Sequence, residues 1–127
     1  MKTIREIFAS IGKFVSDDNT KGEIIFASKF IDMIDSGKKT TTVRRGVRAY
    51  EPGTYKLFNP AKSVQGLINI KGTAIVNFGQ LTEEVAQTDG FRTLYELKKE
   101  LLSFYPELTD DDPVTIVYIE KYTPEDI

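Results

Sequence analysis

Gly37-Lys38-Lys39-Thr40-Thr41-Thr42-Val43-Arg44 is the stretch whose reading decides the fold. Upstream of it Ala27, Phe30, Ile31 and Ile34 recur at helical spacing. Gly37 follows, where a residue without a Cβ can take the left-handed conformation that ends a helix. Thr40 to Val43 is a β-branched run that favours a strand. A helix therefore hands over to a strand across Lys38 and Lys39. Side chains alternate along a strand, so Thr40, Thr42 and Arg44 share one face and Thr41 and Val43 the other.

The same stretch concentrates charge. Ser36 to Tyr50 contains no acidic residue, while Lys38, Lys39, Arg44, Arg45 and Arg48 bring five positive charges to a chain of formal net charge -2. Two readings are open. Basic residues beside a helix C-terminus are favoured by the helix dipole by about 0.3–1 kcal/mol, which would account for Lys38 and Lys39 alone. Alternatively, Lys38, Arg44, Arg45 and Arg48 form a basic cleft that holds phosphate, with Tyr50, Tyr55 or Phe58 available to stack on a base. The overall acidity argues against coating a duplex; a small ligand or a single-stranded segment suits one local patch better.

Working outward toward the N-terminus, Thr3 and Glu6 make a capping box. Ile4, Ile7, Phe8, Ile11, Phe14 and Val15 then fall on one helical face. Residues 1–22 thus read as an amphipathic helix and a polar linker. Its apolar face is expected to pack on the rest of the domain or to mediate self-association; with few cations and no tryptophan, a membrane surface is the weaker partner. Glu23 to Phe26 is β-prone and feeds the helix that Gly37 ends.

Downstream, Pro52 and Gly53 mark a turn before a strand in which Tyr55 and Leu57 alternate with polar residues. Ile68, Ile70, Ala74, Val76 and Phe78 then all sit at even positions, with Gly72 where an apolar residue is expected, so a bulge is predicted there. Thr82, Glu83 and Glu84 open a short helix that Asp89 and Gly90 close. Thr93 and Glu96 cap a second, carrying Leu94, Leu97, Leu101 and Phe104. Asp110 to Pro113 is an acidic turn without the calcium-loop pattern. Val114 to Tyr122 is a final strand, apolar on both faces and so central or sandwiched. The sum is an α+β domain with a mainly antiparallel sheet able to curl into a small barrel.

At 127 residues the chain has the length of one domain, and no apolar run approaches the roughly twenty residues that span a bilayer. No signal peptide is read, and a cytoplasmic location is expected. The absence of cysteine and histidine excludes disulfides, thiolate nucleophiles, serine-histidine triads and cysteine- or histidine-based metal sites. No metal or cofactor is expected. Any catalysis must use Lys, Thr, Ser, Tyr, Asp or Glu.

Gly37, Lys39, Thr42 and Arg44 match a G-x-K-x-x-T-x-R signature, and in this the chain resembles the ASCH domain family, which has a PUA-like fold. The resemblance continues through Tyr50 and Pro52-Gly53, through Phe78 to Glu83, through Asp89-Gly90-Phe91 with Leu94 and Leu97, and through Pro113 to Ile119. It implies a PUA-like β-barrel domain over residues 23–127, with flanking helices and the N-terminal helix as an addition. It also implies a cleft beside the signature that contacts RNA or a modified nucleoside. Some small bacterial members are amidohydrolases that remove the acetyl group of 4-acetylcytidine with a lysine, a threonine and a glutamate. Residue by residue, the lysine falls on Lys39, the threonine on Thr42 and the acid on Asp89, an aspartate where those enzymes carry glutamate. The resemblance thus gives a nucleotide- or nucleoside-binding protein, with amide hydrolysis as the alternative.

Overall fold

The computed structural model describes residues 20–123. The expected N-terminal helix, residues 1–22 with its linker, lies almost wholly outside the described residues. Five strands form one mixed sheet: β1 (Glu23–Ile25), β2 (Thr41–Arg45), β3 (Gly53–Phe58), β4 (Val64–Asn77) and β5 (Pro113–Lys121). Among the described residues three helices accompany it: α1 (Ser28–Asp35), α2 (Glu83–Thr88) and α3 (Leu94–Phe104). The spatial order is β1-β3-β4-β5-β2, parallel only between β1 and β3. The sheet curves into a half-barrel whose edges are β1 and β2.

Local sequence chemistry sets most boundaries. Gly37 has φ +80° just past α1, and its amide donates to Ile34 O, the helix stop expected of a residue without a Cβ. Thr82 accepts from Val85 N and Thr93 from Glu96 N, each satisfying an otherwise unpaired first-turn amide. A short 3₁₀ turn, Phe78–Gln80, follows β4 where the sequence pattern continued the strand. The side chain of Gln80 accepts from Asn77 N, which draws the chain out of the sheet.

The bulge expected near Gly72 organises the core. Ile70 pairs with Ile119 and Gly72 with Tyr118, so Lys71 is the extra residue. An extra residue inverts which parity faces which side. Ile68 and Ile70 accordingly pack in one cluster with Ile24, Leu57 and Ile119, whereas Val76, also even-numbered, packs in a second with Val43, Leu97 and Ile116. One unbroken even-position pattern thus serves two cores. β5 joins them, with Val117 and Ile119 in the first cluster and Val114 and Ile116 in the second. It is buried on both faces, as its unalternating apolar sequence requires.

Leu97 is fully buried in the second cluster, whereas Tyr95 on the same helix is exposed. Leu97→Ala is expected to destabilise the fold by about 2–5 kcal/mol. Tyr95→Ala should change stability by no more than about 0.5 kcal/mol. Urea unfolding of the two variants checks the pair, and equal midpoints would contradict this assignment of the core.

Candidate functional site

Lys39 sits between Gly37 and β2 with 3% of its surface exposed. An ammonium taken out of water costs several kcal/mol unless it is paired and hydrogen-bonded. The C-terminal end of α2 supplies both partners: Lys39 Nζ donates to Asp89 O at 2.9 Å and lies 3.1 Å from Asp89 Oδ1. Helix ends leave carbonyls without intrahelical partners and carry partial negative charge, so a buried cation belongs there. The Phe30 ring covers the ammonium, its centroid 4.7 Å away.

The backbone locks this arrangement. Thr40 N donates to Thr88 O, and Lys39 N to Met33 O, so the lead-in to β2 is held by both α1 and α2. Thr41 Oγ1 lies 3.0 Å from Thr88 Oγ1 and donates to Asp89 Oδ1 at 3.3 Å. Gly90, φ +101°, turns the chain directly after Asp89; a Cβ there would meet Met33 Cε at 2.5 Å. Asp89 is 4% exposed, and every fully buried polar side-chain atom among the described residues has a hydrogen-bond partner.

Burial dominates the electrostatics of the pair. It pulls the Lys39 amine below lysine's ordinary value, against the opposing pull of Asp89. It likewise pushes the Asp89 carboxyl up, against Lys39 and Thr41. Each group is displaced toward its neutral form, so moving one proton from Lys39 to Asp89 costs less than it would in water.

Arg44 bridges the two edges of the half-barrel. From β2 its Nη2 donates to Ile25 O of β1 at 2.8 Å, its Nε donates to Thr42 Oγ1 at 3.2 Å, and it stacks 4.7 Å over the Phe26 ring. Its acceptors are neutral oxygens; among the described residues no carboxylate forms an ion pair with it.

At this seam lies a cavity of about 240 Å³. It is somewhat smaller than the ~300–1,000 Å³ of drug-sized sites and is scaled to a nucleobase-sized guest. Lys39, Thr42, Arg44 and Asp89 line it together, Thr42 and Asp89 being buried. The apolar wall comes from Phe26 and Phe30 on one side and from Phe91, Leu97 and Leu101 on the other.

The other sequence-derived candidates do not line this cavity. Lys38 is exposed on the connection out of α1. Arg45, opposite in parity to Arg44, stacks on Tyr105 and pairs with Glu107. Exposed Arg48 donates through Nε to Arg45 O. Tyr50 packs edge-on against Tyr55, in contact with the first core cluster. Conversely, sequence reasoning missed Phe26, Phe30 and Glu100. Glu100, with Leu97, Leu101 and Phe104, falls at i, i+3, i+4 and i+7 along α3, a spacing that was visible but reads as core. Among the described residues no group of three His, Cys, Asp or Glu is placed to hold a metal ion.

No family model matches the sequence, and no curated protein does. Solved structures do match. The crystal structure of an ASCH domain from Lactobacillus crispatus is 13% identical, with TM-score 0.71, covering 92% of this chain and 89% of that one. A protein from Enterococcus faecalis is 16% identical, with TM-score 0.67, covering 94% of this chain and 87% of that one. A variant of the ASCH protein of Zymomonas mobilis is 18% identical, with TM-score 0.58, covering 84% of this chain and 72% of that one. At these identities the likeness is one of architecture, and the chain has the α+β, PUA-like fold of the ASCH domain.

Proposed function

We propose that the cavity binds an N-acylated nucleobase or nucleoside, with 4-acetylcytidine as the model substrate, and hydrolyses its amide. The observation that carries this reading is the meeting of Lys39, Thr42 and Asp89 on one cavity of nucleobase size. The aspartate, although shorter than the glutamate implied by the resemblance, still lies 3.1 Å from the Lys39 ammonium.

The chemistry follows from these groups. Once it has lost its proton, Lys39 is a neutral amine, the form burial favours. Thr42 Oγ1 bonds to the acyl carbon while its proton passes to that amine, directly or through one water. Negative charge develops on the former carbonyl oxygen, and the guanidinium of Arg44, held beside the nucleophile by its Nε hydrogen bond to Thr42 Oγ1, is the cation that offsets it. Collapse of the tetrahedral intermediate breaks the C–N bond, and Lys39 returns the proton to the leaving amine. Water then attacks the threonine ester by the same exchange, freeing the carboxylic acid and restoring Thr42.

A second reading is a single-stranded RNA segment with one base in the cavity. Exposed Arg48 and Lys38 favour it, because their charges are open to flanking phosphates, whereas exposed Arg45 is already paired with Glu107. Affinity for a short single strand should then fall with added salt and on Arg44→Ala. Salt-independent binding, or none, dismisses it.

For hydrolysis, wild type is expected to convert 4-acetylcytidine to cytidine and acetate, followed by chromatography. Lys39→Ala and Thr42→Ala should each lower kcat/KM by about 10²–10⁴-fold. No turnover by wild type removes this substrate; full activity in either variant removes the mechanism. A separate check is the pH profile. The active lysine is the deprotonated one and its value is depressed, so kcat/KM should rise with pH and level off below lysine's ordinary ~10.4. A rate still climbing through that value would contradict the depressed lysine.

A further inference from the structure

The cavity is graded from floor to mouth, and α3 supplies the gradient. Leu97 is 1% exposed and Leu101 5%, whereas the Glu100 side chain is 22% exposed and Phe104 58% exposed. All four line the cavity. The Lys39 and Asp89 side chains, 2% and 5% exposed, lie at the closed end. A ligand whose reacting amide reaches Lys39 and Thr42 therefore leaves its other end beside Glu100 and Phe104.

Glu100 is the cavity's carboxylate on the solvent side. Lys29 Nζ approaches Oε2 at 2.8 Å, and Oε1 has no hydrogen-bond partner among the described residues. Lys29 is itself 61% exposed, so this ion pair is solvated and weak. An ionised carboxylate only accepts hydrogen bonds, so Oε1 suits hydroxyl or N–H donors and opposes an anion.

From this gradient we infer that Glu100 selects what the cavity admits: a neutral nucleoside, whose sugar hydroxyls it accepts at the mouth, in preference to the same nucleoside carrying a 5′-phosphate. Phe104, exposed one turn beyond Glu100, covers the apolar side of the same end. The inference rests on the proposed orientation, with the base inward, but not on turnover. Lys29 works against the selection by offsetting the carboxylate. The two residues therefore make opposite contributions, a pattern that mere support of the fold would not produce.

The test is calorimetric binding of cytidine and of cytidine 5′-monophosphate to the full chain, probes with no acyl group to lose. Wild type should prefer cytidine by about tenfold or more, the scale of a like-charge juxtaposition. Glu100→Gln should narrow the ratio and Lys29→Ala should widen it. Equal or tighter binding of the monophosphate by wild type overturns the inference, as does a ratio that neither substitution moves, or no binding of either probe at millimolar concentration. Acetylcytidine turnover alongside any of those results would leave the hydrolytic reading standing and remove only the role of Glu100. Lack of turnover with the expected ratios would do the reverse.

Discussion

A lysine ammonium buried to 3% exposure is the constraint on which the rest of this structure turns. Such a group persists only where fixed negative charge is already in place. Here that charge is the end of a six-residue helix, through Asp89 O and Oδ1. To bring the helix end within reach, α2 must stop before Gly90 and the lead-in to β2 must run beside Thr88. The Thr40 amide on Thr88 O and the hydroxyl contact of Thr41 with Thr88 are the visible consequences. The pairing of β2 with β5 then carries Thr42 and Arg44 into position.

A second consequence is the cavity itself. β1 and β2 are the edges of the curved sheet, and the gap between them is crossed by the Arg44 side chain on Ile25 O. Backbone pairing would have filled the gap; a guanidinium leaves room beside it. The bulge at Lys71 contributes from a distance, because it divides the core into two clusters. The cavity lies where they meet, Phe30 of one touching Phe91 of the other edge-on at 6.0 Å. Polar groups gather at its closed end and aromatic rings on its walls, the distribution a planar, partly polar guest requires.

Much of the fold was legible in local sequence, because local chemistry decides it. Gly37, Thr82 and Thr93 announce helix ends, and the misfit of Gly72 in an even-position pattern announces the bulge. The site was legible only in part. Lys39 and Thr42 stand in one motif, but nothing local connects them to Asp89, fifty positions from Lys39; the ASCH resemblance made that link. The basic cluster was the least transparent feature. Lys38, Arg44, Arg45 and Arg48 suggested one cleft, yet strand parity sends Arg45 to the face opposite Arg44, and Arg48 follows it to the surface. Glu100 was missed although its spacing with Leu97, Leu101 and Phe104 was visible, since that stripe reads as core until packing places it at a cavity.

The proposed hydrolysis needs a lysine that gives up its proton easily, and the fold needs the same lysine held by a carboxylate; burial reconciles the two by displacing both groups toward their neutral forms. The most direct measurement is an NMR titration of the Lys39 side-chain amine in the intact protein. It should titrate below lysine's ordinary value, and lower still in Asp89→Asn, which removes the carboxylate that favours the proton. Titration at or above the ordinary value in wild type would contradict the account at its centre.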